Sequence, residues 1–492
     1  MNLNLYINNE FVDPGRTQEV VDPSLGESFC RVALASRKEA ESALVAARDA
    51  FDKGEWPGLP LEKRKAALLR IADGILEKAA ELARLETRNT GKPIKESTFM
   101  DIPSSAQVFR YFAEHLTEYL KEEERLVENG RSRLIRRPHG VVLAIVPWNY
   151  PLLIASWKIA QALAAGNTVI LKPSSLTPLT ALGLAGIVHE AGLPEGTFNV
   201  LNGSASEIGE YLCRDPRVDM ISFTGSNAAG KQILGYCSSS VKKLIMELGG
   251  KSAGLVFQDA DLETSVNSLL CSIFLNQGQM CTAMSRIFVH QDIFDDFIEA
   301  FVSKTKRIAL GIGMDYQTQM GPLISASRRE EVFAYLKKAQ KAGAKLLCGG
   351  VAPDSPDLQK GYFMEPAVLT GIPADSPLLN EEAFGPVAYI GAFSSPQEAL
   401  DLANRSDFGL AASLWSRNIP EAEAFARKVN AGTVWINTYG IFHNELPYGG
   451  FKQSGFGKEL GREGFYEYCQ LQNVLIDTSP DQRPLVNYWY GL

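Results

Sequence analysis

Val141-Val142-Leu143-Ala144-Ile145-Val146 runs straight into Pro147-Trp148-Asn149-Tyr150-Pro151. Six apolar residues with no polar alternation predict a strand covered on both faces, as in parallel sheets. Pro151 then opens a helical pattern over 151–165, at a first-turn position where its missing N–H costs nothing. The unit repeats downstream: a strand-like run at 168–171, a helical one at 178–191, then strand-like 198–201, 218–223 and 243–246 with helices between. Short apolar strands alternating with helices predict a doubly wound parallel sheet. Ligands gather at the carboxyl ends of such strands, which makes 147–151 a candidate site.

Upstream, helical periodicity covers 37–52 and 61–90, the second read as one long amphipathic surface helix. Downstream a second series begins near Lys251, with a strand at 285–289, helices over 294–310 and 326–343, and strands at 388–393 and 412–415. It reads as a second α/β domain. The Pro- and Gly-bearing stretches 352–361 and 371–377 are expected as surface loops. Residues 131–137 alternate basic and apolar side chains, as an exposed antiparallel strand would, either a solvated edge or one paired with another subunit. The apolar tail 484–490 is expected to dock.

The bulk numbers exclude several classes. A chain of 492 residues should divide into at least two domains. A formal charge of −8 argues against nucleic-acid binding. No apolar run is long enough for a membrane helix, and Met1-Asn2-Leu3-Asn4-Leu5 lacks the features of a secretory signal. Seven cysteines without CxxC spacing read as reduced thiols, so a cytoplasmic protein is expected. Five scattered histidines give no metal-ligand spacing, so no metal is expected.

Two short patterns carry chemistry. Cys281 ends Gln279-Met280-Cys281, and Glu247 opens Glu247-Leu248-Gly249-Gly250-Lys251. A thiolate nucleophile with a carboxylate to activate water is the pair needed to make and hydrolyse a thioester. The plain alternatives are a buried inert thiol and a surface carboxylate. Phe223-Thr224-Gly225-Ser226 ends a strand, and Gly225 and Gly230 open a helix whose N-terminus suits a phosphate, although a tight turn would look the same. Asn149 could donate its amide N–H to an oxyanion, or merely occupy a helix-entry turn.

Together these segments resemble the aldehyde dehydrogenase superfamily over essentially the whole chain. The matching stretches are Pro147–Pro151, Gly166-Asn167-Thr168 with Lys172-Pro173-Ser174, Gly192-Leu193-Pro194-Glu195-Gly196, Phe223–Ser226, Glu247–Lys251, Asn276–Cys281, Glu381–Val387 and Pro447–Gly455. The resemblance implies a small β oligomerisation element beside the two α/β domains. It divides the chain into a dinucleotide-binding domain (1–121 and 140–249), a catalytic domain (250–466) and the oligomerisation element (122–139 and 467–492). A homodimer or homotetramer is implied.

By the same resemblance Cys281 is the nucleophile, Glu247 the base for thioester hydrolysis, Asn149 with the Cys281 N–H the oxyanion hole, and Lys158 with Glu459 a proton relay. Cofactor contacts fall on Val146, Trp148, Lys172, Ser175, Gly209, Phe223, Thr224, Gly225, Ser226, Gly230, Leu248, Glu382 and Phe384. The implied cofactor is NAD. Ser175 stands where NAD-preferring relatives carry Glu, so acceptance of NADP is expected too. The tunnel lining is Tyr150, Trp157, Leu275, Gly440, Phe442 and Tyr448. Its aromatics could cage a quaternary ammonium, as in betaine-aldehyde or aminoaldehyde enzymes. Leu275, Gly440 and the single acid Asp101 in 101–105 tilt the expectation toward bulky apolar, retinal-like aldehydes. The rival classes are a CoA-acylating enzyme, which retention of Glu247 opposes, and a non-catalytic binding protein keeping the fold.

Overall fold

In the computed structural model, which describes residues 3–128, 130–373, 376–478 and 489–490, strand Val141–Ile145 lies inside an eight-stranded sheet. Through the centre the order is Phe198–Val200, Thr168–Lys172, Val141–Ile145, Met220–Thr224 and Lys243–Glu247, all parallel. The chain builds outward from Val141–Ile145 in one direction, then returns to add two strands on its other side. The switch point therefore falls between Val141–Ile145 and Met220–Thr224, and the carboxyl ends flanking it are where open α/β sheets take their ligands.

Alternate residues of one strand serve two layers. Val142 and Ala144 join the core made with helices Leu61–Glu77, Ile102–Tyr119 and Pro151–Ala165, while Val141 and Leu143 join the core made with Arg37–Asp52. Both faces are covered, which explains the unbroken apolar run. Helix Pro151–Ala165 is buried almost all round, so its polar Lys158 and Gln161 must find partners inside.

The second sheet has seven strands, ordered Lys345–Cys348, Ala367–Thr370, Val387–Phe393, Arg286–His290, Ala253–Val256, Ala411–Trp415 and Thr433–Ile436. All pairs are parallel except the first. It too is covered twice, with Val387 and Tyr389 facing one core and Ala388 and Ile390 the other. The two sheets are laced together late in the chain, where Gly455–Phe456 adds an antiparallel strand to Lys243–Glu247 with Gly455 opposite Glu247.

Some local expectations need correction. The 61–90 pattern is two helices, Leu61–Glu77 and Ala79–Thr90, because Lys78 leaves helical dihedrals (φ −98°, ψ 14°). Its amine bonds Glu190 of the neighbouring helix at 2.6 Å. Helix Phe294–Thr305 stops short of Leu310, which instead bridges to Met320. Strand Gly130–Pro138 is no edge: it is the central strand of a three-stranded antiparallel sheet between Glu123–Val127 and Cys469–Asp477. Its alternation reflects two half-wet faces, and the edge strands carry the exposed apolar residues Leu126, Leu471 and Leu475. The apolar tail 484–490 lies outside the described residues except at Trp489 and Tyr490, which are exposed. Among the described residues no helix is long and apolar enough to cross a membrane.

Candidate active site

The loop leading into Cys281 is built on unusual backbone. Asn276 and Gln277 have φ of 46° and 57°, and Gly278 follows at 70°. Each left-handed non-glycine residue costs about 1–3 kcal/mol, so neighbours must hold the turn. Glu96 accepts from the Asn276 N–H at 3.1 Å, and the Asn276 amide donates to the Asn149 carbonyl at 3.0 Å. The Ile324 N–H donates to Gln279 Oε1 at 3.0 Å. A side chain at Gly278 would collide with the Gly385 carbonyl, and one at Gly250 with the Cys281 carbonyl. The Glu247–Lys251 loop thus lies directly against Cys281.

Cys281 Sγ sits 3.6 Å from the Tyr448 hydroxyl. Asn149 Nδ2 donates to the Gln279 carbonyl at 2.9 Å, which fixes its amide two residues before Cys281 and leaves its second N–H for a ligand. Burial pushes the Cys281 thiol up to about 12; the Glu382 and Glu247 carboxylates add to that, and the Tyr448 hydroxyl opposes it. Without an added positive charge the thiol stays protonated near neutrality.

Glu247 ends strand Lys243–Glu247, and both of its oxygens are buried without a hydrogen-bond partner. Its pKa is raised well above the usual carboxylate value, first by burial and next by Glu459, with Lys158 and Lys458 opposing. A buried carboxylate kept unpartnered is costly, which is a mark of a group held for chemistry. Lys158 Nζ reaches Glu459 Oε1 at 2.6 Å and Ser222 Oγ at 2.9 Å. Gln161 Nε2 donates to Glu459 Oε2 at 2.9 Å, and the Tyr468 hydroxyl donates to Ser222 at 2.9 Å. Leu460 (φ 59°, ψ 172°) is strained where the chain leaves Glu459. Ser222, Gln161 and Tyr468 escaped the sequence reading. A serine in the apolar run Ile221-Ser222-Phe223, and a second polar residue one turn after Lys158, were the signals available.

The switch point gathers the sequence-named cofactor residues. The Val146 N–H donates to the Lys172 carbonyl at 3.2 Å. Lys172 is buried, its ammonium has only the Pro173 carbonyl at 3.4 Å, and burial pushes it down to about 8. Gly209 lies on its stem, where a Cβ would meet Cε at 3.4 Å. Thr224 and Gly225 lead into Ser226, which caps helix Asn227–Cys237, and a Cβ on Gly230 would strike Leu248 at 2.7 Å. Glu382 accepts from the Gly250 N–H at 3.0 Å, and burial pushes it up to about 7. Phe384 adopts φ 48° and meets Trp148 edge-on at 5.3 Å between centroids. Ser175 accepts from Gln18 through its carbonyl at 2.5 Å.

These residues fit a dinucleotide. A buried ammonium and a half-buried carboxylate, each with a backbone partner, suit ribose hydroxyls. The glycine-flanked helix N-terminus suits a pyrophosphate.

Aromatic rings wall the approach to Cys281. Trp157 lies 5.4 Å from Tyr448 and 5.7 Å from Phe442, and those two are 5.3 Å apart. Trp435 and Tyr439 extend the group, with Tyr439 3.2 Å from Thr282; neither was named from sequence. Leu275 and Tyr150 border the same apolar cluster, and a Cβ on Gly440 would meet nothing within 4 Å. Asp101, the single acid of 101–105, is buried and paired with Lys92 at 2.7 Å. Among the described residues no group of three or more His, Cys, Asp or Glu side chains could hold a metal.

Comparison with known proteins agrees with this geometry. A sequence model described as "Aldehyde dehydrogenase family" matches residues 11–474. Betaine aldehyde dehydrogenase of Bacillus subtilis (strain 168) is 42% identical over 486 residues, 98% of each chain. 2-Hydroxymuconic semialdehyde dehydrogenase of Pseudomonas sp. (strain CF600) is 38% identical over 479 residues, 96% of this chain and 98% of that one. The crystal structure of a betaine aldehyde dehydrogenase from Staphylococcus aureus in complex with NAD+ superposes with a TM-score of 0.95 at 40% identity, covering 99% of this chain and 97% of that one. By sequence profile, by full-length identity and by fold, the chain belongs to the aldehyde dehydrogenase family.

Proposed function

We propose that this protein oxidises a cationic aldehyde, of the betaine-aldehyde or ω-aminoaldehyde type, to its carboxylate with NAD. The observation that carries the substrate class is the ring group Trp157, Phe442 and Tyr448 beside Cys281. A desolvated cation–π contact is worth about 2 kcal/mol, and apolar rings bind a quaternary ammonium without a counter-charge. Tyr150 already gives one face to Lys92, so the cage rests mainly on the other three. Relatives named betaine aldehyde dehydrogenase support this class over the bulky apolar aldehydes expected from Leu275 and Gly440.

In this reading Cys281 first loses its thiol proton to solvent, its Sγ then adds to the aldehyde carbon as the C=O π pair moves to oxygen, and the oxyanion takes N–H bonds from Asn149 and the Cys281 main chain. A bound nicotinamide supplies the hydride acceptor. Glu247 then takes a proton from the water that attacks the thioester, and Lys158, Glu459 and Ser222 carry that proton inward. Lys172 and Glu382 would hold ribose hydroxyls of the cofactor, and Phe384 and Trp148 would contact its nicotinamide half. Segments 1–121 with 140–249 form the cofactor domain, 250–466 the catalytic domain, and 122–139 with 467–492 an oligomerisation element of a homodimer or homotetramer.

An aldehyde panel tests the substrate class. Betaine aldehyde should exceed its uncharged carbon isostere in kcat/KM by about tenfold or more. Trp157→Ala should remove most of that difference while leaving aliphatic aldehydes less affected. Retinal or benzaldehyde outperforming betaine aldehyde would sink the proposal.

Cofactor choice rests on Ser175. With a hydroxyl in place of a carboxylate, a 2′-phosphate meets no like charge, so NADP should support turnover beside NAD. Ser175→Glu should depress the NADP rate selectively; no NADP turnover by the unaltered protein at millimolar concentration would remove the claim.

A further inference from the structure

Segment 90–101 holds a charged cluster that the reaction just described leaves unused. Lys92 is fully buried, and its ammonium meets three acceptors: Asp101 Oδ2 at 2.7 Å, the Asn149 carbonyl at 2.9 Å, and the Tyr150 ring 4.0 Å from its centroid. Three N–H groups with three acceptors leave it no rotational choice. Its main chain is fixed as well. Gly91 turns left-handed at φ 82°, the Ile94 N–H donates to the Gly313 carbonyl at 2.8 Å, and a Cβ on Gly313 would approach the Lys92 carbonyl to 2.5 Å.

Two more buried carboxylates look onto the same ammonium. Glu96 accepts from the Asn276 N–H at 3.1 Å, and Glu86 accepts from the Thr180 hydroxyl at 2.6 Å. Burial is the main cause that pushes Glu86 up to about 7 and Glu96 up to about 8; Asp101 adds to both and Lys92 opposes both. Removing the lysine would leave three buried acids with no counter-charge, which is expensive and would force protonation or rearrangement.

What the cluster holds is the amide next to the nucleophile. The Asn149 carbonyl is gripped by Lys92 and by the Asn276 amide, while the Asn149 side chain is gripped by the Gln279 carbonyl. We infer that Lys92 is a positioning residue for the oxyanion: by fixing the main chain of Asn149 it keeps that amide aligned with Cys281. The same ammonium pins Tyr150 at the tunnel wall. The inference rests on the reading of Asn149 as oxyanion donor.

The test is a mutant cycle in the full-length protein, read by the single-turnover burst of NADH and, separately, by NAD affinity. Lys92→Met should slow the burst about 10- to 100-fold, the scale of a small misplacement of a catalytic group. Its NAD dissociation constant should stay within about twofold. In an Asn149→Ala background the same substitution should add less than about threefold, because its target is gone. Asp101→Asn should slow the burst in the same direction by less, and again only when Asn149 is present. Should Lys92→Met not fold, the Asp101→Asn cycle decides alone. Multiplicative effects, an unchanged burst, or loss of NAD affinity in parallel with the burst would overturn the role of Lys92. An unimpaired burst in Asn149→Ala alone would instead overturn the oxyanion reading beneath it.

Discussion

Replacing Cys281 by alanine should abolish aldehyde-dependent NAD reduction, by about four orders of magnitude or more, while NAD still binds. The size follows from chemistry: the substituted site has no atom able to form the covalent adduct, and none of the other six cysteines belongs to the loop Asn276–Cys281. Retention of binding follows from structure, because Lys172, Glu382 and the helix cap at Ser226 lie on other segments. Stopped-flow absorbance with a parallel NAD titration measures both. Residual steady turnover above about a thousandth of the original rate would mean another nucleophile, since removing a covalent nucleophile costs far more than that.

Glu247→Gln should separate the two halves of the reaction. The adduct and the hydride step need no carboxylate at 247, so a burst of up to one NADH per active site should survive. Steady turnover should fall about 10²- to 10⁴-fold, the usual worth of a positioned base. The unaltered protein should show the pH signature of that base. Burial first and Glu459 next raise the pKa of Glu247 well above its usual 4.5, so the hydrolytic step should accelerate as pH rises through that raised value. The folding linkage has the opposite sense. Between the ordinary carboxylate value and the raised one the folded state binds more protons than the unfolded, so this group lowers stability as pH rises through that window. Glu247→Gln should flatten both slopes. A variant with full steady turnover and an unchanged profile would remove Glu247 from the mechanism.

What sequence could deliver here depended on whether meaning was local. The run Val141–Val146 is apolar because both faces of its strand are covered, so composition alone betrayed a parallel sheet. Cys281, Glu247 and Asn149 sit in short Gly- or Pro-marked loops, and such loops leave a linear trace. The Lys158–Glu459 contact spans the chain and was reachable only through family resemblance. Ser222, Gln161 and Tyr468 come from three separate elements and meet only after folding. The pairing of Asp101 with Lys92 was likewise invisible, because no local pattern reports it. The strand 130–138 is antiparallel as its alternation predicts, but it is not an edge, because alternation describes how wet each face is, not whether a neighbour lies on both edges. The helix break at Lys78 likewise has no Gly or Pro to announce it.

The strand Gly455–Phe456 has a consequence for biogenesis. The sheet whose first strand begins at Leu5 receives its closing strand next to Glu247 only when residue 455 arrives. During synthesis the emerging chain therefore carries an uncapped edge at Glu247 until residue 456 has left the ribosome. An open edge of that kind invites pairing with other nascent chains until Gly455–Phe456 returns to the first sheet.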